Sequence, residues 1–279
     1  KSRQGIDDKS KAKYNLVLRR LKEVSGENLR FDQLNFAFLD KFDNHLITLS
    51  LSANSRKKHH DTLKSHINRA IKYGLFSKVN PYSQGYIVPS EEVKRQPISQ
   101  DDLKKLEKLS FTKDLRRTEK VRDLFLFACR TGMRLDDLLN LDKENIRING
   151  EEMYLTFKPR KSRSQWVIDM PLHLLYDGQP KQIVLKYLHT EHSVIFDHLQ
   201  EGYVNLTLKK IAKMAGINRA LHSHLGKITF ITDMAQHHNV QVGLLSSLTG
   251  TTEKTLYKHY MKNDPKRRNK ALKDIQWKK

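Results

Sequence analysis

Cysteine is nearly absent from this sequence of 279 residues, whose one cysteine, Cys129, lies in the apolar run LFLFACRTG. A lone buried thiol forms no disulfide within the chain, so we expect it to be reduced and the protein to be cytoplasmic. Long apolar runs are also lacking, since none approaches the roughly eighteen residues that a membrane span requires. The first residue is Lys1 and not methionine, which is compatible with a chain trimmed at its N-terminus.

The motifs of metal and nucleotide enzymes are missing as well. The sequence has 13 histidines but no HExxH, no CxxC and no carboxylate–histidine spacing typical of zinc. The adjacent pairs His59-His60 and His237-His238 would point to different faces of a helix. There is no GxxxxGKS/T motif for ATP and no GxSxG motif of serine hydrolases. We therefore predict that the protein holds no metal and needs no cofactor.

Acidic residues are few compared with basic ones. The sequence has 52 lysines and arginines against 31 aspartates and glutamates, which gives a formal net charge of +21. Such an excess indicates a nucleic-acid partner, because lysine and arginine displace the counterions of the phosphate backbone. An anionic membrane surface is the alternative, but it would require a basic amphipathic end or a lipidation signal. Here the charge runs through the whole chain, so we expect nucleic acid and no membrane.

Residues 1–88 are predicted to form a helical DNA-binding domain, most clearly where ANSRKKHHDTLKSHINRAIKYG repeats apolar residues at helical spacing. Asn54 or Ser55 would cap this helix, and Gly74 would end it. Five cations are expected on its other face without a nearby carboxylate. A solvated face is the simpler interpretation, but such a set is better suited to a phosphate backbone. The five are Arg56, Lys57, Lys58, Lys64 and Arg69.

A stretch with several prolines divides the chain. Residues 89–97 are predicted to be a linker, and residues 98–279 a second domain that begins with a helix capped by Ser99. Apolar and polar residues alternate around Asn149-Gly150 and again around the turn PRKSRS, which predicts an antiparallel sheet of two or three strands. The predicted fold class is therefore mainly α with a small antiparallel β-sheet.

Several cations of the second domain are placed to bind a phosphate. Arg134 follows a glycine turn at the start of a helix, where free backbone amides also attract anions. Arg160, Lys161 and Arg163 lie in the PRKSRS turn, from which Lys161 can reach into a groove. The two arginines are predicted to contact DNA.

Further along, HSHLGKITF places His224 and Lys227 on one helical face, and LTGTTEKTLYKHY contains two tyrosines. Together with RTGMRLDDLLNL, these segments resemble, in order and separation, the three signature boxes of the tyrosine recombinase (phage integrase) family. Residues 51–82 are similar to the SAM-like core-binding domain of integrases, and VRDLFLFACRTGMR resembles the versions common in Bacteroidetes. The resemblance covers nearly the whole chain.

The resemblance implies an enzyme that cleaves and rejoins DNA strands through a 3′-phosphotyrosyl intermediate, without metal or ATP. Arg134 matches the first arginine of the family, and Asp137 the acidic residue three positions later. Lys161 matches the lysine of the β-hairpin, with Lys158 as a competitor. His224 matches the histidine of the second box.

The nucleophile of the family follows the Gly-His pair by a fixed spacing. Gly250 matches that glycine, so Tyr260, nine residues after Thr251, matches the nucleophile, and Tyr257 falls in the preceding turn. Two positions depart from the family pattern. Lys227 stands where a second arginine belongs, and Thr251 where a histidine or tryptophan belongs. Either a slower recombinase, an arginine-to-lysine substitution introduced by design, or a relative that no longer cuts DNA would account for them.

The resemblance also implies partners and a cellular setting. The expected partner is double-stranded DNA with an inverted-repeat core site, enclosed by the two domains as by a clamp. Two copies of the chain would bind this site and four would assemble a synapse, in the bacterial cytoplasm at the nucleoid, during integration or excision of a mobile element. The alternative function is a cleavage-impaired, sequence-specific DNA-binding relative that acts as a regulator or accessory factor.

Overall fold

A computed structural model describes residues 7–76, 79–91, 96–160, 166–238 and 240–260. The chain divides into two compact units, Lys1–Lys94 and Arg95–Lys279. Both units are mainly helical, and the second contains a three-stranded antiparallel sheet. The predicted fold class is thereby confirmed.

The first unit is built around three helices: α1 (Asp8–Ser25), α2 (Phe36–Thr48) and α3 (Ala53–Lys72). Their apolar faces meet in one core, in which Leu39, Phe42 and Leu46 of α2 and Ile67 of α3 have no solvent exposure. These side chains recur every three or four residues, which is the spacing of one helical face.

The N-terminal cap of α3 differs from the prediction. Ser52, and not Asn54 or Ser55, precedes the first turn, and its hydroxyl accepts a hydrogen bond from the amide of Ser55 at 3.3 Å. Asn54 instead makes two hydrogen bonds to the backbone of Glu91, at 2.9 and 3.2 Å. A contact distant in sequence therefore occupies the side chain that local rules favour as a cap.

The second unit contains eight α-helices within its described residues, together with the sheet. The helices are α4 (Gln100–Glu107), α5 (Arg116–Thr131), α6 (Leu135–Leu138), α7 (Gln179–Leu188), α8 (Glu201–Met214), α9 (His224–Gln236), α10 (Val242–Thr249) and α11 (Glu253–His259). The strands are β1 (Ile146–Asn149), β2 (Glu152–Phe157) and β3 (Ile168–Pro171), paired in the order β1-β2-β3.

The β1–β2 turn follows the predicted chemistry. Asn149 is paired with Glu152, and Gly150 has a φ of +58°, a left-handed conformation that glycine adopts without strain. The prediction of two or three antiparallel strands is confirmed, with three strands present. The connection from β2 to β3 covers the PRKSRS turn.

Helix α5 is the centre of the second unit, because every residue from Val121 to Thr131 is buried. The buried charged residues on it are paired, as for Arg130, whose guanidinium lies 3.0 Å from the carboxylate of Glu107. The free thiol of Cys129 is buried here, as predicted, and burial raises its pKa to about 12. A thiol in such a setting is unreactive.

Helix α9 packs against α5 at backbone contact distance. A Cβ added at Gly226 of α9 would lie 2.5 Å from the Cβ of Ala128 and 3.1 Å from its carbonyl carbon. Only a hydrogen at this position allows the two helices to approach so closely. Within the described ranges, no helix combines the length and apolar composition needed to cross a membrane.

Gly226→Ala is therefore expected to lower the free energy of unfolding by about 1–3 kcal/mol, because the methyl group overpacks the α5–α9 contact. Urea unfolding measures this loss. Gly202→Ala is the matched control, since Gly202 also lies in the first turn of a helix, and a Cβ there would meet no heavy atom within 4 Å. The control is expected to be neutral or slightly stabilising. Equal losses in both variants would contradict the close contact.

Candidate active site

Arg134 lies at the junction between α5 and α6. Helix α5 ends at Gly132, which has a φ of +68° and whose amide donates to the carbonyl of Ala128. A Cβ at Gly132 would lie 2.6 Å from the ring of Phe230, so the chain turns tightly against α9. Arg134 then occupies the N-cap position of α6 with extended backbone and a half-buried side chain.

Lys227 is buried close to this junction. Its side chain is 3% exposed, and its Nζ donates a hydrogen bond to the carbonyl oxygen of Thr249 at 2.7 Å. Burial, together with the nearby charge of Arg134, lowers the pKa of Lys227 to about 7, against an opposing effect of Asp137. A positive charge on Lys227 is thus disfavoured by burial and by Arg134, and a nearby anion would stabilise it.

The start of the β2–β3 connection is fixed to the same region. The backbone amide of Arg160 donates to the carboxylate of Asp137 at 2.9 Å, and the Arg160 side chain approaches Asp136 at 3.8 Å. On the other side, a Cβ at Gly250 would lie 3.3 Å from Pro159. These contacts tie the loop to α6 and to the C-terminus of α10.

Two of the predicted residues, Lys161 and Arg163, lie outside the described residues. The predicted DNA-contacting Arg160 is exposed, and so is Lys158, the competitor of Lys161. Both side chains are therefore accessible beside the candidate site.

His224 is the first residue of α9 and is exposed. It precedes Lys227 by three residues, so the two side chains project from the same side of the helix. The first turn of α9 thus carries the exposed imidazole of His224 and the buried amine of Lys227.

Thr251 lies between α10 and α11 and is 7% exposed. Its hydroxyl oxygen is buried and has no hydrogen-bond partner among the described residues. A buried hydroxyl without a partner costs free energy, commonly about 1–3 kcal/mol. A ligand oxygen that accepts its hydrogen bond would remove this cost.

The two tyrosines of α11 differ in exposure. Tyr260 is the C-cap of the helix, is 7% exposed and belongs to the core of the second unit. Tyr257, one turn earlier, is 58% exposed. The residue predicted as nucleophile is therefore held by packing, whereas Tyr257 faces solvent.

The contacts connect three of the predicted residues in the second unit. Arg134 and Lys227 influence each other electrostatically, Lys227 is bonded to the end of α10, and Thr251 follows two residues later. Sequence reasoning missed the Thr249 carbonyl, because any residue can supply a backbone acceptor. It identified Asp137 by position, but not its hydrogen bond to the Arg160 amide.

The basic face predicted on α3 needs correction. Arg56 is not on an open phosphate-binding face, because its guanidinium lies 2.6 Å from the carboxylate of Asp43 and both side chains are mostly buried. Lys57 lies 3.1 Å from Asp61. The expectation of five cations without a nearby carboxylate was therefore wrong for these two. Lys58, Lys64 and Arg69 make no ion pair within the part of α3 and its surroundings that the structure describes.

Two family models match the chain. The model "Phage integrase family" matches residues 97–267, and the model "Phage integrase SAM-like domain" matches residues 1–87. No curated protein matches the sequence significantly.

Solved structures of recombinases share the fold. A lambda integrase(75-356) dimer bound to a COC′ core site has a TM-score of 0.70 at 17% identity, covering 99% of this chain and 93% of that one. Tn1549 transposon integrase with circular intermediate DNA has a TM-score of 0.72 at 13% identity, covering 98% and 96%. XerH recombinase bound to difH substrate, before cleavage, has a TM-score of 0.66 at 17% identity, covering 96% and 79%.

Lys227 makes stability depend on pH. Its pKa is about 7 in the folded chain and about 10.4 for an unperturbed lysine. Between these values the unfolded chain binds more protons, so the free energy of unfolding rises with pH. Lys227→Met removes this rise and is expected to be most stabilising, relative to the original protein, at pH 7 and below. The difference in the free energy of unfolding between Lys227→Met and the original protein should shrink by several kcal/mol from pH 7 to pH 10, at about 1.4 kcal/mol per unit.

Urea unfolding of both proteins between pH 6 and 10 measures the difference. Lys158→Met, at an exposed lysine, controls for the loss of a surface charge. A difference between Lys227→Met and the original protein that stays constant over this range would contradict the buried-amine account.

Proposed function

The chain belongs to the phage integrase family, and on that premise we propose that it is a site-specific DNA recombinase acting through a 3′-phosphotyrosyl intermediate. The observation that supports this most is that Arg134 lowers the pKa of buried Lys227, whose Nζ contacts the Thr249 carbonyl two residues before the unpartnered hydroxyl of Thr251. Such a site has the positive charge and the hydrogen-bond donors that stabilise the transition state of phosphodiester cleavage. The reaction would integrate or excise a mobile element in the bacterial cytoplasm.

Tyr260 is the proposed nucleophile. Its phenolic oxygen attacks the scissile phosphorus, forms the phosphotyrosyl bond and displaces the 5′-oxygen of the next nucleotide. The burial of Tyr260 supports this role over Tyr257, because a site shielded from water protects the covalent intermediate from hydrolysis. Since the new ester bond conserves the energy of the old one, rejoining needs no ATP.

Four residues are proposed to stabilise the charge that grows on the phosphate oxygens. Arg134 presents a planar fork of donors, whereas Lys227 supplies a single compact charge. The hydroxyl of Thr251 donates to one oxygen, and His224 to another. A bound phosphate would raise the pKa of Lys227 back towards its ordinary value, which favours the charged form when substrate is present.

Lys161 is the proposed general acid that protonates the leaving 5′-oxygen, with Lys158 as the alternative. The contacts of Arg160 with Asp137 and of Pro159 with Gly250 hold the start of this loop next to the phosphate-binding residues. A lysine a few residues further on then has a short path to the reacting bond.

For the first unit, residues 1–88, we propose binding to the DNA backbone through Lys58, Lys64 and Arg69, with Lys57 as a weaker contributor. In the catalytic domain, residues 98–279, the arginines at 160 and 163 would add contacts. The intervening residues 89–97 would link the two domains. Lambda integrase has been seen as a dimer on a core site and as a tetramer on a Holliday junction. By analogy, we propose that this chain pairs on inverted repeats and assembles as a tetramer.

A denaturing gel tests the chemistry. On a nicked duplex containing the core site, the released fragment diffuses away, so the protein–DNA adduct accumulates. Tyr260→Phe removes one oxygen atom and is expected to abolish the adduct, because no nucleophile remains. Tyr257→Phe is the matched control and should keep it. Tight binding without any adduct in the original protein would support the other candidate, a DNA-binding regulator or accessory factor, which Lys227 and Thr251 make worth testing.

A salt titration tests the proposed contacts of the first unit. The double variant Lys58→Ala/Lys64→Ala is expected to bind all DNA sequences more weakly and to flatten the slope of log K against log salt by about 2. Fluorescence anisotropy measures both quantities.

The control variant Lys11→Ala/Lys22→Ala removes the same charge from the same unit. Both of its lysines are already paired with carboxylates, at 3.0 and 2.5 Å, so a smaller effect is expected. Equal slopes for the two variants would show that net charge alone, and not the face of α3, determines binding.

A further inference from the structure

A cluster of possible metal ligands lies between α7 and α8, apart from the residues of the candidate active site. The Nε2 atoms of His192 and His198 are 3.1 Å apart, and they lie 3.4 and 3.3 Å from the Oδ2 atom of Asp197. The two imidazole rings stand nearly perpendicular, with centroids 4.5 Å apart. Among the described residues, these three are the one group of histidines, cysteines and carboxylates that meets in this way.

The spacing of the three atoms fits a tetrahedral ion. Zinc bonds of about 2.0–2.1 Å place neighbouring ligand atoms of a tetrahedron about 3.3–3.4 Å apart. The observed edges of 3.1 to 3.4 Å therefore describe three corners of such a site, with the fourth open to a water molecule. Two imidazole nitrogens and one carboxylate oxygen are ligands that zinc accepts.

The backbone around the cluster is held in place. Ile195 donates to the carbonyl of Leu141, and Lys143 donates to the carbonyl of Ser193, both at 2.8 Å. His198 has a φ of +58°, an uncommon conformation for a residue with a side chain, and it turns the ring towards His192. A site that is already formed loses little conformational entropy when it binds an ion.

The surroundings of Asp197 favour one of its oxygens. The ammonium group of Lys120 on α5 contacts Oδ1, which leaves Oδ2 for the ion. Partners of this kind orient the carboxylate of a metal ligand. The charge of Lys120 also opposes a cation, so we expect affinity in the micromolar range and not that of a structural zinc finger.

We propose that His192, Asp197 and His198 bind a zinc ion that fastens the segment between α7 and α8 in its observed conformation. This inference does not depend on the proposed recombinase chemistry. It departs from the sequence prediction of no metal site. That prediction rested on familiar zinc motifs, and none of them has the spacing of His192 and the adjacent pair Asp197-His198. The three side chains come together only when the segment between α7 and α8 folds against residues 141–143.

The test uses the full chain without a histidine tag, freed of metal by chelation. Cobalt(II) is added as a spectroscopic probe, because four-coordinate cobalt absorbs visible light far more strongly than the hydrated ion. One equivalent of tetrahedral cobalt is expected, displaced by one equivalent of zinc. At a tenfold excess over the dissociation constant, zinc should raise the midpoint of thermal unfolding by about 3 °C or more.

Three variants complete the design. His192→Ala and His198→Ala should each lose the cobalt bands and the thermal shift, and both side chains are exposed enough to be replaced without harming the core. His189→Ala, at an exposed histidine of the same segment, should keep both signals. An original protein without tetrahedral cobalt, or equal binding in all three variants, would overturn the proposal.

Discussion

The close contact of α5 with α9 determines where both cations of the candidate site lie. Lys227 directly follows Gly226, the residue at which the helices touch, and Arg134 follows the end of α5 by three residues. Neither helix can move away without leaving a cavity. The positions of the two positive charges are therefore determined by packing, despite their mutual repulsion. The packing of the hydrophobic core in the second unit offsets the unfavourable free energy of this repulsion.

That cost is informative about function. A protein with no anion to bind would gain stability by replacing Lys227 with an apolar side chain, since its lowered pKa indicates that the hydrogen bond to the Thr249 carbonyl does not offset the cost of burying its charge. The unpartnered hydroxyl of Thr251 is a second unfavourable feature in the same part of the chain. An oxyanion bound at the proposed site would reduce both penalties, because it would pair with the charge of Lys227 and accept the hydrogen bond of Thr251.

Local chemistry made several features predictable. Gly132 ends α5, Asn149-Gly150 turns the sheet, and Arg134 begins α6, because each depends on the backbone preferences of a few adjacent residues. Features decided by distant contacts were not predictable. The pairing of Arg56 with Asp43 joins two helices, and the bond of Asn54 to Glu91 displaced an expected helix cap. Helical periodicity alone cannot anticipate such partners.

The tightness of the α5–α9 contact also bears on how such a site can diverge over generations. A Cβ at Gly132 would lie 2.6 Å from Phe230 of α9, and one at Gly226 would lie 2.5 Å from Ala128 of α5, so substitution of either glycine is expected to strain the contact. Lys227 instead reaches the carbonyl oxygen of Thr249 at the end of α10, so its replacement would change charge and hydrogen bonding there. The helix pair therefore limits change at its glycines, whereas the departures from the expected family pattern at 227 and 251 concern side chains of the proposed phosphate-binding site.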